Sequence, residues 1–172
     1  MESAPIETKR LILRRPGASD IEAYTAYCLS GRSALVGGPF DEVRAFDKLA
    51  AMIGHWVLRG FGRYVFVLKL TNRSIGHVGA LQLDWREPPE MSWTIWSGAD
   101  EGQGYALEAS RAYLEHALGA LATQPLIARI HRDNLESRKL ASRLGGGILD
   151  DDAVAPAWSP QALTYRFSPT RP

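Results

Sequence analysis

At 172 residues the chain is long enough for one domain with a substantial apolar core. Its 45% hydrophobic and 23% charged residues are a globular mix, and 20 Lys and Arg against 19 Asp and Glu leave a formal charge of +1. That balance offers no global basic field for a nucleic acid, and no apolar run approaches the ~18 residues of a membrane helix.

Met1 to Pro5 lacks the basic and apolar regions of a signal peptide, so a cytoplasmic protein with no membrane partner is expected. The single cysteine, Cys28, excludes an intrachain disulfide. Beside Tyr24 and Tyr27 in an apolar helical pattern, it reads as a buried, inert thiol.

Ile6 to Arg15 alternates Leu11 and Leu13 with Ile12 and Arg14 and reads as one strand, ended by Pro16. Ser19-Asp20 offers an N-cap for a short helix to about Cys28. Ser30 to Pro39 is a glycine-rich loop. From Phe40 to Arg59, Val43, Phe46, Leu49, Ala50, Ile53 and Val57 keep a helical period, which Gly60-Phe61-Gly62 stops.

Tyr64 to Leu70 and Ser74 to Trp85, joined at Thr71-Asn72-Arg73, predict a hairpin. Arg86 to Pro89 connects it to a strand opened by Glu90. That strand leads into Glu101-Gly102-Gln103-Gly104-Tyr105-Ala106 and an amphipathic helix with Ala106, Ala109, Tyr113 and Ala117 at helical spacing. Gly119 to Pro125 reads as a loop and Leu126 to Ile130 as a strand. Asp133-Asn134-Leu135-Glu136 is a variant capping box opening a helix that Gly145-Gly146-Gly147 ends. Ile148-Leu149 and Leu163 to Phe167 are the last strands. The order β-α-α-β-β-β-α-β-α-β-β describes a mixed α/β (α+β) domain. We see no internal repeat.

Two glycines where a strand meets a helix turn backbone N–H groups outward at the positive end of the helix dipole, a site for phosphate or another anion. The chain has no Gly-x-x-x-x-Gly-Lys-Ser/Thr, which excludes a P-loop nucleotidase. The motif also follows a meander instead of opening a parallel βαβ chain, which excludes the dinucleotide fingerprint.

The whole chain resembles the GNAT acetyltransferase family, and within it the ribosomal-protein N-acetyltransferase-like (RimJ/RimL-like) branch. The resemblance lies in Ile6-Glu7-Thr8-Lys9-Arg10-Leu11-Ile12-Leu13-Arg14, in Gly60-Phe61-Gly62 with Ser74-Ile75-Gly76-His77-Val78-Gly79, in Glu101 to Ala106 with Glu108-Ala109, and in Asn134-Leu135-Glu136-Ser137 with Leu144-Gly145. It implies a single domain over residues 1–172, with a central, mostly antiparallel sheet of about seven strands flanked by about four helices.

It also implies acetyl-CoA as cosubstrate. The pyrophosphate would sit on the amides of Gly102, Gln103, Gly104, Tyr105 and Ala106, and the pantetheine beside Ile95, Trp96 and Ser97. Asn134 and Ser137 match further contacts, and Arg138 is a candidate for the adenosine phosphate. Three positions depart from the family: Glu101 stands where Gln or Arg is usual, Ala141 where many relatives carry the tyrosine general acid, and Gly146 where an aromatic is common.

Acetyl transfer to an amine needs a base, because an alkyl ammonium near pKa 10 is protonated at neutral pH. Glu90, at a position where this branch often carries Glu, is the candidate base; a solvated strand-end carboxylate is the bland alternative. Ser137 is a candidate donor to the leaving thiolate, and a backbone N–H near Trp96 would polarise the carbonyl. The acceptor would be a protein N-terminus or a small amine. A CoA-binding sensor without catalysis is the alternative function.

His55, His77, His116 and His131 are scattered without ligand spacing, so no metal is expected. Arg129, Arg132, Arg138, Lys139 and Arg143 read first as a solvated face; a nucleic-acid surface ranks last because no aromatic platform interleaves them. Trp56, Trp85, Trp93, Trp96 and Trp158 are mostly core. Those near the meander are candidates for the acceptor pocket wall or a homodimer contact.

Overall fold

A computed structural model describes residues 4–120, 125–149 and 160–168, with side chains for all of these except 118–120. Trp158 lies outside the described residues, as does most of the connection expected at Gly119 to Pro125. Among the described residues the architecture is one sheet of eight strands in the order β1-β2-β3-β4-β5-β6-β8-β7, with helices on both faces.

The first expected strand is two. β1 (Ile6–Glu7) folds back on β2 (Leu11–Arg14), pairing Ile6 with Leu13 and Glu7 with Ile12. The polar Thr8-Lys9-Arg10 makes the turn, closed by Thr8 N–H donating to Leu11 O at 3.0 Å. Sequence alternation runs through this turn undisturbed, which is why it reads as continuous.

Asp20 stands at the N-cap of α1 (Ile21–Leu29) but makes no capping bond with its side chain. Its fully buried carboxylate takes two bonds from Arg14, at 2.7 and 2.8 Å, one from Ser74 Oγ at 2.8 Å and one from Gly17 N–H at 2.9 Å. Burial pushes this carboxyl up, but the bonds outweigh burial and hold it below its ordinary value. The expected loop at Ser30 contains a 3-10 turn over Gly31–Val36.

In α2 (Glu42–Arg59), Asp41 caps the start by accepting from Arg44 N–H at 2.8 Å. The buried positions are Ala45, Leu49, Met52, His55 and Trp56. The stripe read from sequence shares only Leu49 with them; Val43, Phe46 and Val57 are exposed. Two staggered apolar faces run along this helix, and tertiary contact picks the one containing Trp56 and Met52.

β3 (Arg63–Leu68), β4 (Ser74–Leu81) and β5 (Glu90–Ile95) form the antiparallel meander. α3 (Tyr105–Ala120) crosses to β6 (Leu126–His131), and α4 (Leu135–Arg143), β7 (Gly147–Ile148) and β8 (Ala162–Phe167) complete the chain. The cap of α4 is Asn134, whose side chain accepts from Ser137 N–H at 3.1 Å, in place of the expected Asp133.

Strand alternation sorts the core into two layers. Tyr64, Phe66 and Val78 face α3 through Tyr113, Leu114 and Ala117. Val65, Val67 and Trp96 face α1 and α2 through Tyr24, Tyr27, Leu49 and Met52. Cys28 belongs to the second layer; it is fully buried, and burial pushes its thiol up, as an inert cysteine requires. No helix among the described residues is long and apolar enough to cross a membrane.

Candidate active site

Between the end of β5 and the start of α3, a 3-10 turn spans Gly98–Asp100. Gly102 and Gly104 follow at φ 72° and 79°, the left-handed region where a Cβ costs roughly 1–2 kcal/mol. The first helical bond is Glu108 N–H to Gly104 O at 3.1 Å. Ahead of it, the N–H groups of Gly102, Gln103, Gly104, Tyr105 and Ala106 make no hydrogen bond among the described residues. They point into the positive end of the α3 dipole and form an anion cradle.

Five ion pairs brace this cradle and its surroundings. Arg73, in the β3–β4 turn, grips buried Asp100 with bonds of 2.7 and 2.8 Å. Arg10 donates to Gln103 O at 2.9 Å and to Glu108 at 2.7 Å, and Thr8 Oγ1 adds a 2.7 Å bond to Glu108. Burial raises the Glu108 carboxyl, but the bonds from Thr8 and Arg10 bring it below its usual range. Glu101 is exposed and pairs with Arg32, which also donates to Ile95 O at 3.3 Å. Arg129 joins Glu87 and Glu90, each at 2.9 Å.

β5 and β6 are parallel and share one rung, Glu90 opposite Ile127. Beyond it no pairing joins them, and a wedge opens in the sheet. Trp96 N–H donates to Ile75 O at 2.9 Å, so alternation aims the amides of Trp93 and Ile95 the other way, into the wedge. The amides near Trp96 that face the wedge are therefore those of Ile95 and Trp93, not that of Trp96 itself. The Trp96 indole N–H donates to His77 Nδ1 at 2.9 Å, which assigns His77 as the neutral Nε2–H tautomer. Burial, with Arg63 and Lys48 nearby, pushes its pKa well below normal.

A cleft of about 840 Å³ runs along the wedge between α1, the 3-10 turn after it, and the start of α4. Glu90, Asn134 and Ser137 all line it. Asn134 Oδ1 is taken by the cap bond, which leaves its amide N–H₂ for a ligand. Ser137 Oγ makes no hydrogen bond among the described residues. Arg138 is tied back through Arg132 O at 3.0 Å and Tyr165 Oη at 3.4 Å. Ser97 Oγ accepts from Ala99 N–H at 3.3 Å and stays beside the turn. His55 is held between Phe61 O and Gln82 N–H away from the wedge. Among the described residues no three His, Cys, Asp or Glu side chains converge on a metal position.

A family model described as an acetyltransferase (GNAT) domain matches residues 10–146. The chain belongs to the GNAT acetyltransferase family. An acetyltransferase from Agrobacterium tumefaciens str. C58 is 31% identical with a TM-score of 0.86, covering 97% of this chain and 95% of that one. The ribosomal L7/L12 α-N-protein acetyltransferase RimL, solved with coenzyme A, superposes with a TM-score of 0.75 at 16% identity, covering 96% and 98%. The ribosomal-protein-S5-alanine acetyltransferase from Vibrio fischeri does so at 0.70 and 14%, covering 99% and 100%. No curated protein sequence matches the chain.

Two departures from the GNAT pattern have physical explanations. Glu101 does not confront an anion uncompensated, because Arg32 neutralises it. A Cβ on Gly146 would meet the Phe167 ring at 2.8 Å and Ala141 O at 3.0 Å, so Phe167, from the last strand, leaves no room for an aromatic side chain at position 146. Ala141, fully buried, belongs to the same core layer. Sequence reading missed Arg32, Arg63 and Lys48. The alternation Arg63, Val65, Val67 carried a signal for one of them, a cation on an inward strand face.

Proposed function

We propose that the chain transfers acetyl from acetyl-CoA to a primary amine, on a protein N-terminus or a small molecule, directly between two substrates held in one cytoplasmic domain spanning residues 1–172. The observation that carries this is the row of unbonded amides from Gly102 to Ala106 beside the β5–β6 wedge. The small residues and exposed N–H groups fit a pyrophosphate, and the open edge of β5 fits an extended chain with amides of its own. Acetyl-CoA supplies the activated acyl group as its thioester.

The protein's part is positioning, proton handling and carbonyl polarisation. The amides of Ile95 or Trp93 polarise the carbonyl. Glu90, fixed by Arg129, takes the amine proton directly or through water. Ser137 Oγ donates toward the departing sulfur. No covalent enzyme intermediate is needed, and buried Cys28 takes no part.

Acetyl-CoA at about 100 times its dissociation constant should add roughly 2.7 kcal/mol of stability, a melting shift on the order of 5–10 °C for a chain of this size. The test pairs that shift with thiol release over a panel of peptides and small amines. Turnover of any acceptor removes the non-catalytic sensor reading; no shift with acetyl-CoA or CoA overturns the proposal. Glu90→Gln should keep the shift and lose about 10²-fold in kcat, the lower end for general-base removal. An unchanged kcat would take the base role from Glu90.

A further inference from the structure

The acceptor side of the cleft carries two cations, Arg63 and Lys48, that form no ion pair among the described residues. Arg63 is the first residue of β3. The register sets it opposite Gly79, and Gly79 opposite Ser92, so Arg63 and Ser92 flank a side-chain-free position on one face of the sheet. Glu90 stands two residues along from Ser92 on that face. All three line the cleft, with Lys48 reaching in from α2.

Two buried polar atoms here have no partner among the described residues: Arg63 Nε and Ser92 Oγ. Burying such groups without a partner is costly, and a native chain tolerates it where a ligand completes the bonding. Among the described residues, neither Arg63 nor Lys48 forms an ion pair, whereas Arg129 and Arg32 are each matched to a carboxylate. Burial is the main cause lowering the basicity of both Arg63 and Lys48. Lys48 Nζ rests 4.3 Å from the centre of the Phe40 ring at the cleft wall.

From these observations we infer that the acceptor is a primary amine bearing a carboxylate, its acid group bound by Arg63 and Ser92 with Lys48 at the mouth, and its amine directed to Glu90. The inference rests on the transferase reading above and names its acceptor class. Neighbouring strands lie about 4.8 Å apart and residues two apart on a strand about 7 Å, so the two ends of the site are separated by the span of a short amino acid. A planar guanidinium matches a carboxylate with two parallel bonds. The same two unmatched cations repel a polyamine.

The carboxylate has two sources, a free amino acid or the acidic first residue of a peptide, and the experiment has an arm for each. Thiol release is measured with acetyl-CoA for free amino acids against their carboxamides, and for peptides beginning with Asp or Glu against those beginning with Asn or Gln. The carboxylate member of the operative arm should exceed its amide partner in kcat/KM by at least tenfold. In Arg63→Gln that ratio should fall toward one.

Because Arg63 is partly structural, the acetyl-CoA melting shift of Arg63→Gln verifies its fold, and Lys48→Gln, at the cleft mouth, provides a second variant with a smaller fall in the same ratio. Equal rates for carboxylate and amide in both arms, or a ratio that survives Arg63→Gln, overturn the inference. So does the absence of turnover and of calorimetric binding to the CoA complex across every carboxylated amine. In each case the cofactor shift persists, so the transferase reading fails separately, by loss of that shift.

Discussion

Gly104→Asp should abolish the melting shift produced by acetyl-CoA while leaving the protein folded. The φ of 79° at this residue charges any side chain a strain of roughly 1–2 kcal/mol. Space is no obstacle, because a Cβ there meets only Arg10 Nη2, at 3.6 Å. The arginine would gain a partner, and the fold should survive. The ligand loses more. A carboxylate about 4 Å from a phosphate charge, at the effective dielectric of a protein surface, opposes it by about 4 kcal/mol, close to 10³ in dissociation constant. Gly104→Ala carries the strain without the charge and should retain part of the shift. A full shift in Gly104→Asp would mean that the pyrophosphate lies elsewhere.

A second large effect falls far from the cofactor. Arg14→Ala should destabilise the fold by about 3 kcal/mol, near the lower end for removing one partner from a buried ion pair, because Ser74 and Gly17 still bond Asp20. For a chain of this length that is a melting decrease of about 6–12 °C.

The pH dependence has a definite sign. In the wild type Asp20 titrates below its unfolded value. Its contribution is therefore full above pH ~4, the unfolded value, and is lost as pH falls through the folded one. Without Arg14 the strongest of the bonds that lower this carboxyl is gone and burial is less fully offset, so the folded value rises and the variant loses less stability on going to acid. Denaturant titrations at pH 7 and near pH 3.5 should show the difference between the two proteins shrinking in acid. A penalty independent of pH would mean that Arg14 acts through packing alone.

The element order was legible because each element carries its own period and ends in its own breaker. The meander, the motif helix and the last strand needed no tertiary information. The β1–β2 turn was not legible, since Thr8 closes it with a hydroxyl and an amide that any strand could also hold. The buried side of α2 was equally hidden, because Phe46 and Met52 are both apolar and only contact with Val65 and Val67 decides between them.

At the site, the glycine cradle was readable from local chemistry, and the partners of its charges were not. Glu101 and Arg32 are 69 residues apart in sequence, Glu90 and Arg129 are 39. Ion pairs of that span leave no periodic trace in one sequence. Arg63 was hidden for the opposite reason: it forms no ion pair among the described residues.

The Arg32–Glu101 pair has a consequence for anyone exchanging parts between relatives. Changing position 101 alone to the glutamine or arginine usual in the family should not by itself raise cofactor affinity. Glutamine would leave Arg32 unmatched over the Ile95 carbonyl, and arginine would set two like charges together. The two positions are coupled through their ion pair, and their substitutions should be non-additive. A segment transplanted from the acceptor wall brings its cofactor loop's compatibility with it.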